Sequence, residues 1–257
     1  MINLNNKVAL ITGSSDGIGA ATAILFSSLG AKVSIVGRDQ SKLDKVAAEC
    51  ESKSPHHYKP VVTKADFIRD EDVVRTFEKT ISVYKTLDIL VNNAAIDGTK
   101  GFGEPDAMNE YDRIMQINVR AVVRLTELAV PHLKQTKGAI VNVSSIVGLK
   151  PIPPVWSYCM SKASLDMFTK CMAGKLAPDV RVNSVNPGVT RTNFQRELTD
   201  LEAFRARAAS LQPMKRLAEP IEIANTIAFL ASDAASNMTG SIVVSDSGML
   251  IADPFAQ

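Results

Sequence analysis

The chain has 257 residues, 46% of them apolar and 22% charged, with a formal net charge of +2. This is the composition of an ordinary globular protein, long enough for one large α/β domain or two small ones, with a core that needs no disulfide staples. The charge has no strong sign, and no long basic run or aromatic-basic interleaving is present, which argues against nucleic-acid and anionic-membrane partners.

In chain order, KVALIT (7–12) reads as a buried strand and 17–29 as a helix stopped by Gly30. KVSIVG (32–37) is a second strand, followed by a helix over about 41–51. VVTKA (61–65) is a third strand, and 71–84 a helix with Val73, Val74, Phe77 and Ile81 on one face. LDILVN (87–92) is the fourth strand; a glycine-rich loop at 97–103 leads into one long helix, 110–134, whose last turn Pro131 bends. GAIVNVS (138–144) is the fifth strand and 156–176 the next long helix. VRVNSV (180–185) and SIVVS (241–245) are the last strands, with a polar segment (188–215) and a helix (221–232) between them. Strands that are apolar throughout and alternate with helices imply a parallel sheet covered on both faces. The predicted fold is a single doubly wound Rossmann-type α/β domain over 1–257 with a seven-stranded parallel sheet. Ligands of such sheets bind outside the carboxyl ends of the strands.

No apolar stretch is long enough to span a bilayer. The N-terminal MINLNNKVALITG goes straight into strand-like sequence without a charged-then-apolar leader. Cys50, Cys159 and Cys171 make no CxxC, which suits reduced thiols and a cytoplasmic location. His56 and His57 sit in a polar, proline-flanked loop, and His132 is the only other histidine. A solvated loop is therefore expected there, and no metal site.

After the first strand, LITGSSDGIGAAT carries Gly13, Gly17 and Gly19 in a G-x3-G-x-G spacing. The GxGxxG fingerprint is absent. The physical requirement of a tight strand-to-helix turn with small residues, where a pyrophosphate can approach backbone amides, is still met. Here the chain resembles the short, single-domain branch of the short-chain dehydrogenase/reductases. Thr12, Gly13, Gly17, Ile18 and Gly19 match that family's TGxxxGIG cofactor motif, with Ser15 and Asp16 inside the loop. NNAA (92–95) is similar to its NNAG, which implies cofactor contacts at Asn92 and Ala94. Asn118 in MQINVR stands where the family has its active-site asparagine, and Ser145 in IVNVSSIVG lies thirteen residues before Tyr158, as its catalytic serine does. Tyr158 and Lys162 form YxxxK, and PGVTRT (187–192) resembles the segment that holds the nicotinamide, implying contacts from Pro187, Gly188, Val189 and Thr192. Asp66 resembles the aspartate that bonds the adenine amine; as a plain helix N-terminal acid it would suit the macrodipole equally.

The implied reaction moves a hydride between a nicotinamide and a carbonyl carbon, so a proton must reach or leave the oxygen. A free phenol has a pKa of roughly 10, and lowering it by about three units takes roughly 4 kcal/mol. One ammonium about 4 Å away supplies about that at an effective dielectric near 20. Positions i and i+4 share a helix face, so Lys162 can serve Tyr158 in this way. The resemblance also assigns Lys162 to the nicotinamide ribose, Asn118 to a water relay, and Ser145 to a hydrogen bond on the developing oxyanion. Ser144 is the rival serine, which strand alternation would turn to the other face.

Adenosine specificity is read after the second strand, where this chain has Gly37 and Arg38. An arginine fork suits a 2′-phosphate, so NADP(H) is expected in preference to NAD(H). Asp16 and Asp39 weigh against it, and Arg38 can also be read as a solvated loop residue. The segment 188–215 is expected to be a substrate lid. Its apolar residues Phe194, Leu198, Leu201, Phe204, Leu211 and Met214, with Ile146, Ile152 and Trp156, suggest a mostly apolar carbonyl or alcohol substrate. The resemblance implies a homotetramer built on the helices at 110–134 and 156–176. The rival readings are a cofactor-sensing binding protein without turnover and an epimerase or dehydratase of the family's longer branch.

Overall fold

In a computed structural model, which describes residues 2–194 and 199–252, the seven strands form one all-parallel sheet in the order β3-β2-β1-β4-β5-β6-β7. The strands are β1 (Val8–Ile11), β2 (Lys32–Gly37), β3 (Val61–Lys64), β4 (Ile89–Asn92), β5 (Ala139–Val143), β6 (Arg181–Pro187) and β7 (Ile242–Ser245). The helices are α1 (Gly17–Ser28), α2 (Gln40–Lys53), α3 (Asp70–Tyr84), α4 (Ala107–Met115), α5 (Ala121–Thr136), α6 (Trp156–Leu176), α7 (Leu201–Leu211) and α8 (Pro220–Ala231).

The pleat divides the core in two. Along β1, Ala9 and Ile11 join Phe26, Leu43, Ile223 and Ile227 beneath α1, α2 and α8. Val8 and Leu10 join Val73, Phe77, Leu125 and Leu176 beneath α3, α5 and α6. Period-2 side chains thus reach opposite hydrophobic layers, which is why these strands are apolar throughout. The strand order reverses between β1 and β4, and in such sheets ligands bind outside the carboxyl ends of the strands at that switch point.

The single long helix expected over 110–134 is instead two helices joined by a π-helical turn, Gln116–Arg120. Asn118 lies inside that turn with its side chain hydrogen-bonded elsewhere, as short polar side chains that compete with the helix ladder do. Such turns recur at functional sites. Pro131 sits within α5, which continues to Thr136. The expected lid contains α7; the predicted contact residue Leu198 lies outside the described residues.

Candidate active site

The glycine loop is pressed against the end of β4. Gly13 has φ +64°, and a methyl there would come 2.8 Å from Ala94 Cα and 2.9 Å from Asn93 Nδ2. Thr12 Oγ1 accepts hydrogen bonds from the main-chain N–H of Asn93 and of Ala94, each 2.9 Å. Asn93 Nδ2 donates to the carbonyls of Thr12 (2.8 Å) and Gly13 (3.2 Å). The loop then enters α1 at Gly17, whose amide donates to the N-cap Asp16, and a helix N-terminus favours an anion. Ser15 fits over Gly37, where a methyl would lie 2.7 Å from its hydroxyl, and Ile18 packs against the core. The Asn92 side chain turns away from the glycine loop. It is buried, and its Nδ2 donates to Asn142 Oδ1 (2.9 Å) and Thr126 Oγ1 (3.3 Å), inside the sheet layer beneath α5. Successive residues turn to opposite faces, so Asn93 supports the loop instead.

The other expected cofactor residues gather on the same edge of the sheet. Asp66 follows β3 and accepts from Ile68 N (3.3 Å), while its own amide donates to the buried carboxylate of Asp72 (2.8 Å). Pro187 ends β6, and Gly188 N continues the pairing to Ser245 O (3.0 Å). Val189 follows, and the Thr192 methyl reaches back to within 3.0 Å of where a Cβ on Gly17 would stand. The lid thus begins against the glycine loop.

Beyond β2 lies a cavity of about 550 Å³ lined by Arg38, Asp39, Gln40, Ser41, Lys42 and Lys64. Asp39 turns away to cap α2, accepting from Lys42 N (3.1 Å). Asp16 accepts from Gly17 N (2.8 Å), Lys42 Nζ (2.6 Å) and Asn193 Nδ2 (3.2 Å). Partial burial alone would push its carboxyl up, but the bonds from Lys42, Asn193 and Gly17 hold it below the usual value. The acid that weighed against a phosphate is therefore paired with a lysine. Sequence reading missed Lys42 and Lys64. Lys64 was legible through register, because it pairs with Gly37 across the β2–β3 ladder.

Tyr158 and Lys162 stand one turn apart on α6, with Lys162 Nζ 5.5 Å from the phenol ring centroid. Lys162 is 2% exposed, and its ammonium donates to Val143 O at 2.8 Å. Ser145 Oγ accepts from Val147 N (3.3 Å), and its hydroxyl lies near enough to the Tyr158 phenol to pull that group's pKa down. Ser144 is buried, its hydroxyl donating to Lys162 O (3.2 Å), and is not the partner of Tyr158. Asn118 Oδ1 accepts from Ile96 N (2.9 Å), while its amide donates to Ile96 O (2.9 Å) and Ser161 Oγ (3.1 Å). Its side chain therefore ties the loop after β4 to α6. With both amide protons donated within the protein, the side chain can meet a water only through the second lone pair of Oδ1.

The surroundings of Tyr158 oppose the expected lowering of the phenol. Burial pushes the Tyr158 pKa above its ordinary value and Asp97 adds to the rise; the Ser145 hydrogen bond works the other way and is outweighed. Burial also pushes Lys162 down to about 8, against the pull of Asp166 and Asp97. Desolvation, which the sequence does not display, overrides the single ion–dipole pairing.

The Phe194 ring lies 5.7 Å from that of Tyr158, whereas Trp156 is stacked on Tyr111 and edge-on to Phe102. Among the described residues, no three His, Cys, Asp or Glu side chains come together as a metal site, and no helix is long and apolar enough to cross a membrane.

A family model described as enoyl-(acyl carrier protein) reductase matches residues 13–250. The chain is 36% identical to a 3-oxoacyl-(acyl-carrier-protein) reductase of Thermotoga maritima, over 97% of this chain and 100% of that protein. It is 33% identical to an L-xylulose reductase of Caenorhabditis elegans, over 96% of each. The L-sorbose reductase of Gluconobacter frateurii, solved with NADPH and L-sorbose, superposes with a TM-score of 0.89 at 32% identity, covering 97% of this chain and 98% of that one.

Proposed function

The chain belongs to the short-chain dehydrogenase/reductase family, and from that premise we propose that it interconverts a ketone and a secondary alcohol with NADP(H), Tyr158 serving as the proton donor and acceptor. The observation that carries this reading is the buried Lys162 with its ammonium 5.5 Å from the Tyr158 ring centroid, beside a Ser145 hydroxyl close enough to act on the phenol. The residues present fit a dinucleotide: only glycine is tolerated at 13, a tight small-residue turn leads from β1 to the N-terminus of α1 as a pyrophosphate requires, and the Arg38–Lys42–Lys64 cavity suits a 2′-phosphate. When bound, NADP(H) supplies or accepts the hydride.

The chain's own residues do the rest. Ser145, whose oxygen already accepts from Val147 N, has its proton free to donate to the carbonyl oxygen. Tyr158 donates its proton as negative charge grows on that oxygen, and in the reverse direction receives it. Lys162, held by Val143 O, stabilises the phenolate left behind, and its loss of water makes that field stronger. Asn118 fixes Ile96, and with it the loop that carries Asp97, beside α6. Phe194 offers an apolar flank to the substrate and Asp97 a polar one, so a ketone with both characters fits better than a wholly apolar one. The chain's similarity to a 3-oxoacyl-(acyl-carrier-protein) reductase, an L-xylulose reductase and an L-sorbose reductase supports carbonyl reduction as the class.

A homotetramer and a cytoplasmic location complete the proposal. Val123 on α5 and Met160 and Met167 on α6 expose apolar surface on the expected pairing face, and all three cysteines are free thiols. The test is NADPH and NADH consumption over a panel of ketones, sugar ketones and 3-oxoacyl thioesters, run beside Tyr158→Phe. Turnover that Tyr158→Phe abolishes supports the reading. Cofactor binding with no turnover on any compound would overturn it in favour of a sensor.

A further inference from the structure

Behind the catalytic residues lies a carboxylate that the proposed chemistry does not use. Asp166 is one helical turn beyond Lys162 on α6 and only 5% exposed. Its Oδ2 accepts from Asn186 Nδ2 at 2.8 Å, and the same amide donates to Ser145 O at 3.0 Å. The Ser184 hydroxyl stands 3.3 Å from Oδ1 and 2.7 Å from Asn186 Oδ1, its one proton serving either. The Ser144 hydroxyl, which donates to Lys162 O at 3.2 Å, lies close enough to lower the carboxylate's pKa. The turn after Ser145 is moulded onto the same group: a methyl at Gly148 would come 2.8 Å from Asp166 Oδ2 and 3.0 Å from the Lys162 carbonyl carbon.

We propose that Asp166 is a positioning residue, the buried counter-charge that keeps Lys162 cationic beneath Tyr158 and, through Asn186, sets the turn that presents Ser145. A carboxylate removed from water is costly unless hydrogen-bonded and paired, so a purely structural site would be served better by an apolar side chain. A lysine stripped of water likewise favours its neutral form, and a nearby anion opposes that. Among the described residues, the titratable groups acting on Lys162 are Tyr158 and Asp166 on its own helix and Asp97 on the loop after β4. The other elements bring neutral groups: Val143 O from β5, Ser184 and Asn186 from β6, and Asn118 from the π turn through Ser161. Asp97 reaches Lys162 from the loop after β4, part-buried and with its carboxylate accepting from Gly98 N, whereas Asp166 is carried on the same helix as Lys162 and tied to Asn186.

The importance of Asp166 for turnover rests on the function proposed above, but its effect on Lys162 does not. The test is therefore a direct titration of the full-length chain, following the Lys162 Cε–Hε signal by NMR with 13C-labelled lysine and assigning it by its loss in Lys162→Met. The midpoint expected for the unchanged chain is about 8. Asp166→Asn lowers it by about one pH unit, Asp166→Glu restores most of the shift, and the alkaline limb of kcat/KM for NADPH moves in step. If Asp166→Asn does not fold, Asn186→Ala carries the test, since loss of the amide weakens the carboxylate and lowers the Lys162 midpoint by a smaller amount. A Lys162 midpoint that stays put in the folded variant overturns the proposal whatever happens to stability. A moved midpoint in a chain that turns over no carbonyl leaves Asp166 standing and removes the proposed function instead.

Discussion

Replacing Arg38 by alanine should separate the two nicotinamide cofactors. Arg38 lines the cavity beyond β2 with Lys42 and Lys64 and is exposed. A hydrogen bond to a charged group contributes roughly 1.5–3 kcal/mol, and an exposed, screened site lies at the low end of that range. About 1.5 kcal/mol is about tenfold in Kd. Lys42 shares its charge with Asp16 at 2.6 Å, both about half exposed, so Lys42→Ala should cost less, about threefold. Asp16→Asn keeps an acceptor for Gly17 N but removes a negative charge, and a unit charge within about 8 Å in water is worth about 0.5 kcal/mol. NADPH should therefore bind roughly twice as tightly to that variant. Isothermal titration with NADPH and NADH at low and high salt measures all three. NADH should change little throughout, and salt should erode the NADPH differences. Equal losses for both cofactors in Arg38→Ala would refute a phosphate-binding role for this cavity.

The other predictions concern the loop, the pH response and the π turn. Gly13→Ala forces a methyl onto Ala94 Cα at a positive φ, and should lower the urea midpoint by the equivalent of about 1–3 kcal/mol while abolishing cofactor binding; a wild-type midpoint would contradict it. The alkaline limb of kcat/KM for NADPH should fall near pH 8 as Lys162 loses its proton. Because the folded value lies below the 10.5 of free lysine, the unfolded chain binds more protons between about 8 and 10.5, and this group's contribution to stability rises with pH across that window. Asn118→Ala removes three hydrogen bonds among Ile96, Ser161 and the π turn, at about 1 kcal/mol each, and should speed amide exchange at Ile96; unchanged exchange would count against the tie.

Most of the scaffold was legible because strand and helix periodicity report burial directly. Val8 to Ile11 are apolar without interruption since each alternate side chain enters its own layer. Tyr158 and Lys162 were legible because helical spacing dictates a shared face. What escaped the sequence was long-range. The π turn at Asn118 depends on Ile96 and Ser161, which lie 22 and 43 residues away. The inward turn of Asn92 depends on Asn142, fifty residues on. The upward push on the phenol follows from burial, a property of the assembled site rather than of YxxxK. Asp16 looked unfavourable for a phosphate until the fold brought Lys42 to it.

A double-mutant cycle on kcat/KM with Ser145→Ala and Tyr158→Phe probes most directly whether the two hydroxyls serve one oxygen. Each single change should cost about a hundredfold or more, and the pair together little more than the worse one, because groups acting on a single atom fail as a unit. Losses that multiply independently, or a phenylalanine variant as fast as the unchanged chain, would contradict it.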